Sequence, residues 1–179
     1  MYKIAVLSDS HQKVDLTQEA IDMLKSKGAK YIAHAGDFEL KENLDILKNS
    51  GLIYVSVFGN NDWGLTKYQN DYKIHHEPYY FKIQDSKCKL MHIPNYLTPD
   101  SDIIIYGHTH IFKTEYINDT LFLNPGEICA REKNLTECVL LEVTRTSYIV
   151  EYNFKKPADT EWNTKIYEYQ RKNPSEINK

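Results

Sequence analysis

The chain predicts an α/β domain whose first half alternates strands with helices and whose second half is mostly strands. Three observations carry this. Apolar runs stand at 2–7, 30–35 and 52–58, as expected of buried parallel strands. Leucines at helical spacing occupy the intervals between them. Beyond position 78 the segments shorten and are broken by turn pairs such as Asn118-Asp119, a hairpin signal.

The elements follow in order. After the strand at 2–7, Leu16, Ala20 and Leu24 mark a helix over about 15–27, with Asp15 capping its start and Gly28 ending it. A second strand at 30–35 leads to a helix marked by Leu40, Leu44 and Leu47 and closed by Gly51. The third strand is 52–58. This β-α-β-α-β run implies a parallel sheet with right-handed crossovers. Strands at 79–84 and 87–92 meet at Asp85-Ser86, and a buried strand lies at 103–106. Strands 113–117 and 120–123 flank the Asn118-Asp119 turn, and 137–143 with 147–153 form a last hairpin. Residues 1–153 read as the domain. Trp162, Ile166 and Tyr169 share one helix face, so 154–179 is expected to be a helical extension packed on the body or at a homodimer contact.

Composition narrows the function. A length of 179 residues suits one domain with a sizeable core. With 22 basic and 25 acidic residues the net charge is −3, and no long basic stretch exists, so stable nucleic-acid binding is not expected. A phosphate substrate stays open, because bound cations would set the local charge. Cys88, Cys129 and Cys138 form no CxxC and read as free thiols of a reducing compartment. The apolar run Ile4–Leu7 is too short for a signal-peptide core, and nothing approaches the length of a membrane span. The expectation is a cytoplasmic protein with no membrane segment.

Five short motifs then appear in order: Asp9-x-His11, Gly36-Asp37, Gly59-Asn60, His92, and Gly107-His108-Thr109-His110. Each falls at or just past a strand end, where open α/β sheets bind ligands. In extended backbone, residues two apart point the same way, so Asp9 with His11 and His108 with His110 read as pairs. Carboxylate, amide and imidazole donors suit Mn²⁺, Fe²⁺, Ni²⁺ or Zn²⁺. The glycines preceding three of the ligands fit sharp turns. Each motif alone is weak; all five at strand ends point to two divalent metal ions.

With His34-Ala35-Gly36-Asp37, Gly59-Asn60-Asn61-Asp62 and Asn124-Pro125-Gly126-Glu127, the chain resembles the calcineurin-like metallophosphoesterase superfamily, in its small prokaryotic phosphodiesterase branch. The resemblance covers residues 1–153. It implies an αββα sandwich of two mixed sheets with a dimetal site at its edge. One ion falls to Asp9, His11, Asp37 and His110, the other to Asp37, Asn60, His92 and His108, with Asp37 bridging. Mn²⁺ or Ni²⁺ are the first choices, with Fe²⁺ or Zn²⁺ compatible. The implied activity is hydrolysis of a small phosphodiester, such as a cyclic nucleotide, by a hydroxide that the ions share. A phosphomonoesterase is the alternative within the same chemistry. A non-catalytic scaffold, as in a retromer subunit of this architecture, is the alternative outside it.

The sequence departs from the family pattern twice. Larger relatives carry a histidine after the Gly-Asn motif that protonates the leaving group; here the position is Asn61. Asn61 and Asp62 are the candidate catalytic residues, with Asp62, which ordinarily orients that histidine, alternatively only a loop hydrogen-bonding group. Loss of the acid, typically worth ~10²–10⁴ in rate, implies slower turnover, good leaving groups, or protonation by water. Second, the family places a helix after the fourth motif. Only Ile93 to Ser101 separate His92 from Asp102, too few for a helical crossover of at least about 10–12 residues, so a loop is expected and His92 is the least secure ligand. His34 reads as a satisfied core histidine, His75 and His76 as surface residues or the lining of a substrate entrance, Glu127 as a hydrogen-bond partner of a ligand or a residue that stabilises a turn, and Arg131 as an exposed arginine or a phosphate contact.

Overall fold

In a computed structural model, residues 2–171 are described. The first strand, β1 (Tyr2–Leu7), sits in the middle of a seven-stranded sheet, and its residues 4–7 are buried on both faces. It runs parallel to β2 (Tyr31–His34), which pairs with β3 (Ile53–Val57), which pairs with the two-residue β4 (Ile74–His75). On its other side lie antiparallel β10 (Thr136–Val143), then β11 (Ser147–Lys155) and β12 (Asn163–Gln170). A five-stranded sheet faces it. Its order is β5 (Tyr79–Ile83), β6 (Ser86–Leu90), β7 (Ile103–Ile105), β9 (Thr120–Asn124) and β8 (Lys113–Ile117). Both sheets mix parallel and antiparallel pairs.

Strand alternation divides the apolar residues. Ile4, Val6 and Ala33 point into the core between the sheets, where they meet Cys88, Leu90, Ile103 and Leu123. Ala5, Leu7 and Ile32 point the other way, onto α1 (Val14–Ser26) and α2 (Lys41–Asn49). Lys13 rather than Asp15 precedes α1; Asp15 lies in its first turn, where a carboxylate favours the helix dipole.

The sheets thus stack face to face, as expected, with helices on the outer face of the larger one. The outer face of the smaller sheet carries Met91, Ile104, Tyr106 and Phe122, and the segment 91–102 crosses there without a helix. Lys89 explains how a loop suffices. Its side chain leaves β6 on that face, is almost wholly buried, and its Nζ donates to the carbonyls of Tyr96 at 2.8 Å and Thr98 at 2.7 Å. It also pairs with Asp100 at 2.6 Å. One cation gathers three acceptors of a segment that has few backbone partners of its own.

The tail corrects the sequence expectation. Residues 163–170 form a strand, not a helix, paired with β11 from Ser147↔Gln170 to Phe154↔Asn163. Tyr167 and Tyr169 turn inward against the core while Ile166 is 66% exposed. Thr164, Ile166, Tyr167 and Tyr169 are good strand formers, and β11 offers them a free edge. The helical spacing of Trp162, Ile166 and Tyr169 does not survive the period of two: Ile166 and Tyr169, three residues apart, fall on opposite faces of the strand. Residues 163–170 of the tail are therefore part of the seven-stranded sheet; the end of the expected helix, 172–179, lies outside the described residues. A short 3₁₀ turn, Trp63–Tyr68, and a one-turn α3, Gln69–Tyr72, fill the segment before β4, which carried no clear periodicity.

Candidate metal centre

All seven expected ligands come together beyond the ends of β1, β2, β3, β6 and β7. The Asn60 Oδ1 atom lies 2.9 Å from His92 Nε2 and 2.9 Å from His108 Nδ1. His92 Nε2 is 3.3 Å from His108 Nδ1 and 3.4 Å from Asp37 Oδ2. On the other side of Asp37, its Oδ2 is 3.8 Å from His11 Nε2. His11 Nε2 is 3.5 Å from His110 Nε2, which is 3.3 Å from Asp9 Oδ1. An ion with bonds of about 2.1 Å holds adjacent donors roughly 3.0–3.4 Å apart, and these spacings, from 2.9 to 3.8 Å, bracket that range, as two coordination polyhedra sharing one carboxylate oxygen require. Asp9 Oδ1 is buried and has no hydrogen-bond partner. A buried, unsatisfied carboxylate oxygen is costly unless a cation meets it. These residues fit a pair of divalent ions.

Local backbone, rather than extended pairing, aims the side chains. Asp9, His11, Asp37, His108 and His110 all have positive φ, between 44° and 67°. Such non-glycine conformations cost of order 1 kcal/mol or more each and persist where surrounding structure enforces them. The two-apart pairs therefore do not arise from strand alternation, as the sequence suggested. The glycines also serve differently. Gly36 does turn, with φ +89°. At Gly59 and Gly107 the need is proximity: a Cβ at Gly59 would overlap the Asp37 carboxylate, and one at Gly107 would overlap Ser8 Oγ.

Three of the four imidazoles are fixed from behind. His11 Nδ1 lies 2.5 Å from Glu39 Oε1, His110 Nδ1 lies 2.6 Å from Glu127 Oε2, and His92 Nδ1 donates to the Ala35 carbonyl at 2.8 Å. These partners hold the Nδ1 proton and leave Nε2 free to ligate. Glu127 meets both of its readings, since it partners His110 and its Oε1 accepts the backbone N–H groups of Glu132 and Lys133. Glu39 and Glu77 were missed. Glu77 Oε2 accepts the backbone N–H of His92 and, at 2.9 Å, that of Ile93, so it anchors the loop that carries His92. Glu39 is the second residue after Asp37, a position that could have drawn attention; nothing in the sequence marks Glu77.

The site's charges are mutually adjusted. Burial opposes ionisation of Asp37, but the His92 hydrogen bond and charge, with those of Asn61, hold its pKa well below the usual carboxylate range. Burial raises Asp9, against the lowering effect of His92. Burial likewise works against Glu127, yet its bond to His110 brings it down to about 2. A cationic centre would relieve the burial of Asp9 directly.

Asn61 and Asp62 have different surroundings. Asn61 donates its side-chain amide to Asp37 Oδ2 at 2.7 Å and its backbone N–H to Asp37 Oδ1 at 2.9 Å. It sits at the cluster and is exposed. Asp62 is buried, and its carboxylate accepts the backbone N–H groups of Asp37, Phe38, Glu39 and Gly59. With both oxygens so engaged it positions two ligand loops and does not face the cluster, which corrects its reading as a catalytic group. His34 is a satisfied core histidine, bonded to Ser10 Oγ and Gly36 N–H.

Cys129 lies near His11 and His110. Its thiol, however, sits 3.8 Å from His110 Nδ1, the nitrogen opposite the cluster, and donates to Glu127. Burial and the Glu127 carboxylate push it up to about 12. It remains a thiol behind the ligands. The Arg131 guanidinium, over half exposed, reaches His110 Nε2 at 3.1 Å from the front. A separate cavity of about 530 Å³ opens between the sheets near Tyr31, Tyr54 and Phe81 and shares no residue with the cluster.

Comparisons with known proteins identify the family of the fold. Residues 2–146 match the calcineurin-like phosphoesterase superfamily domain. The phosphodiesterase MJ0936 of Methanocaldococcus jannaschii is 25% identical over 159 residues, covering 82% of this chain and 96% of that protein. Among solved structures, Vacuolar Protein Sorting 29 of Cryptosporidium parvum superposes with a TM-score of 0.77 at 18% identity, covering 95% and 98% of the two chains. The phosphoesterase Yfce of E. coli does so with a TM-score of 0.67 at 18% identity, covering 83% and 91%. None of the described helices is long and apolar enough to cross a membrane. The chain belongs to the calcineurin-like phosphoesterase superfamily and is similar to its small prokaryotic members.

Proposed function

We propose that the protein is a metal-dependent phosphodiesterase acting on a small phosphodiester. Asp9, His11, Asp37 and His110 would hold one divalent ion, and Asp37, Asn60, His92 and His108 the other. Mn²⁺ or Ni²⁺ is the expected metal, and the three buried free thiols suit a reducing, cytoplasmic setting. The single observation that carries the reading is Asp37 Oδ2, which faces His11 on one side and His92 on the other. When bound, a pair of such ions supplies Lewis acidity, a nucleophile at neutral pH and a clamp on phosphoryl oxygens.

The chain's own residues do the rest. Glu39, Glu127 and the Ala35 carbonyl keep three imidazoles in the ligating tautomer. Asn61 orients the shared carboxylate. Arg131 swings from His110 to a non-bridging phosphoryl oxygen, which a guanidinium binds strongly. Position 61 carries an amide, which is no general acid, so esters with good leaving groups are favoured.

The test is hydrolysis of bis-p-nitrophenyl phosphate with Mn²⁺ or Ni²⁺ against a metal-stripped control, with p-nitrophenyl phosphate alongside to separate diester from monoester preference. Protein that binds two ions and hydrolyses neither ester would leave the scaffold role. Asp37→Ala should abolish turnover and reduce the bound metal measured by elemental analysis.

A further inference from the structure

The cluster stands between two clefts of opposite character. Beside His11, a cleft of about 500 Å³ is lined by Lys13, Glu39, Arg131 and Asn134 and is largely polar. Beside Asn60, a cleft of about 290 Å³ is lined by Phe58, Asn60, Trp63, Thr66, His76 and Ile93. The second cleft is physically continuous with the ligands. Asn60 belongs to both, and Ile93 directly follows His92, whose Nε2 lies 2.9 Å from Asn60 Oδ1. A phosphoryl group held at the cluster would direct one ester substituent into it.

Trp63 decides what that substituent is. Its side chain is 81% exposed, although a tryptophan is the residue that gains most from burial. It begins the 3₁₀ turn immediately after Asp62, whose carboxylate is pinned by four backbone N–H groups. The indole is therefore presented on a rigid base. The Phe58 and His76 rings, 5.3 Å apart, line the same cleft. The lining holds no lysine or arginine to attract a second phosphate. The volume is at the low end of small-molecule sites, which run ~300–1,000 Å³. It suits one flat ring system and not a whole ligand.

We propose that this cleft binds a planar aromatic group of the substrate, stacked on Trp63, so that the phosphoester hydrolysed is an aryl or nucleoside ester and not a sugar- or glycerol-type ester. This rests on the phosphodiesterase reading of the adjacent cluster.

The test compares AMP with ribose 5-phosphate, which share a phosphomonoester and differ by the base. Trp63 and Trp162 are the two tryptophans of the chain, so Trp162→Phe isolates the Trp63 emission. In metal-loaded protein AMP should quench that emission, and calorimetry should show it binding about tenfold or more tighter than ribose 5-phosphate, as base–aromatic stacking predicts. Trp63→Ala should remove the advantage of AMP, and Trp63→Phe should retain part of it. Equal affinities in the wild type, no binding of AMP, or an advantage that survives Trp63→Ala would overturn the proposal. Turnover of bis-p-nitrophenyl phosphate is measured in parallel. Turnover without base preference overturns only the aromatic cleft, whereas loss of turnover in protein that still prefers AMP overturns only the hydrolytic reading.

Discussion

The Asp62 carboxylate accepts the backbone N–H of Asp37 at 2.9 Å, and with it those of Phe38 at 2.7 Å, Glu39 at 2.8 Å and Gly59 at 2.7 Å. Asp37 has φ +59° and Glu39 +57°, a backbone that needs enforcement. One buried side chain thus sets the conformation of two loops carrying Asp37 and Asn60, both proposed ligands, and the Glu39 partner of His11.

Asp62→Asn should therefore act on both stability and metal binding. An amide keeps one acceptor oxygen and turns an NH₂ toward two N–H donors. A loss of about 2–4 kcal/mol is expected, together with weaker metal binding in the fraction that stays folded. Urea unfolding of the metal-free protein and a chelator-buffered metal titration measure the two effects separately. Wild-type values in both would mean that the loops hold themselves.

Glu127→Gln addresses the ion nearest His110. Replacing the carboxylate 2.6 Å from His110 Nδ1 lowers the basicity of the ring and frees its orientation. Partners of this kind are typically worth 10–100-fold in affinity. The titration should become biphasic, with one site weakened and the Asn60–His92–His108 site nearly unchanged. Equal weakening of both sites would point to a general loosening of the fold.

His34 gives an acid-stability signature. Its Nδ1 accepts the Gly36 N–H and its Nε2–H donates to Ser10 Oγ, so the folded ring is neutral. Burial, helped by the His92 charge, lowers its pKa from 6.5 to about 3. The unfolded chain then binds a proton that the folded chain refuses between those values. The stabilisation is complete above pH 6.5 and is lost as pH falls toward 3, by roughly 1.4 kcal/mol per pH unit. In the presence of chelator, His34→Gln should be less stable at pH 7 yet lose stability less steeply between pH 6 and 4. An unchanged slope would assign the acid sensitivity to other groups.

Lys89→Met tests the crossing without a helix. The substitution leaves the Tyr96 and Thr98 carbonyls without their donor and Asp100 without its partner. Asp100 is partly exposed, so water compensates in part; a loss of about 2 kcal/mol is expected. Hydrogen exchange should rise across residues 93–101 and not in β10 or β11. Protection unchanged in that segment would show that its own packing suffices.

Local pattern made much of the fold legible. The runs at 2–7, 30–35 and 52–58 became β1, β2 and β3, and the leucines between them became α1 and α2, because buried central strands and amphipathic helices write their burial into short-range periodicity. The turn at Asn118-Asp119 joined β8 and β9 as expected. The tail failed for the opposite reason. Its partner is β11, and edge pairing is a long-range choice that overrides a weak helical stripe. The two-residue β4 and the turn at 63–68 are too short to carry a period.

The inventory of the site was also written in the chain: the donor types, their order and their placement at strand ends single out Asp9, His11, Asp37, Asn60, His92, His108 and His110. Their convergence belongs to the tertiary structure alone. Left-handed backbone at five of the seven aims the side chains, and that conformation is imposed by hydrogen bonds from distant segments such as Asp62 to the Asp37 loop. Likewise Glu39 meets His11 and Glu77 meets His92 only after folding, because a carboxylate chosen for what lies across space leaves no spacing to read along the sequence.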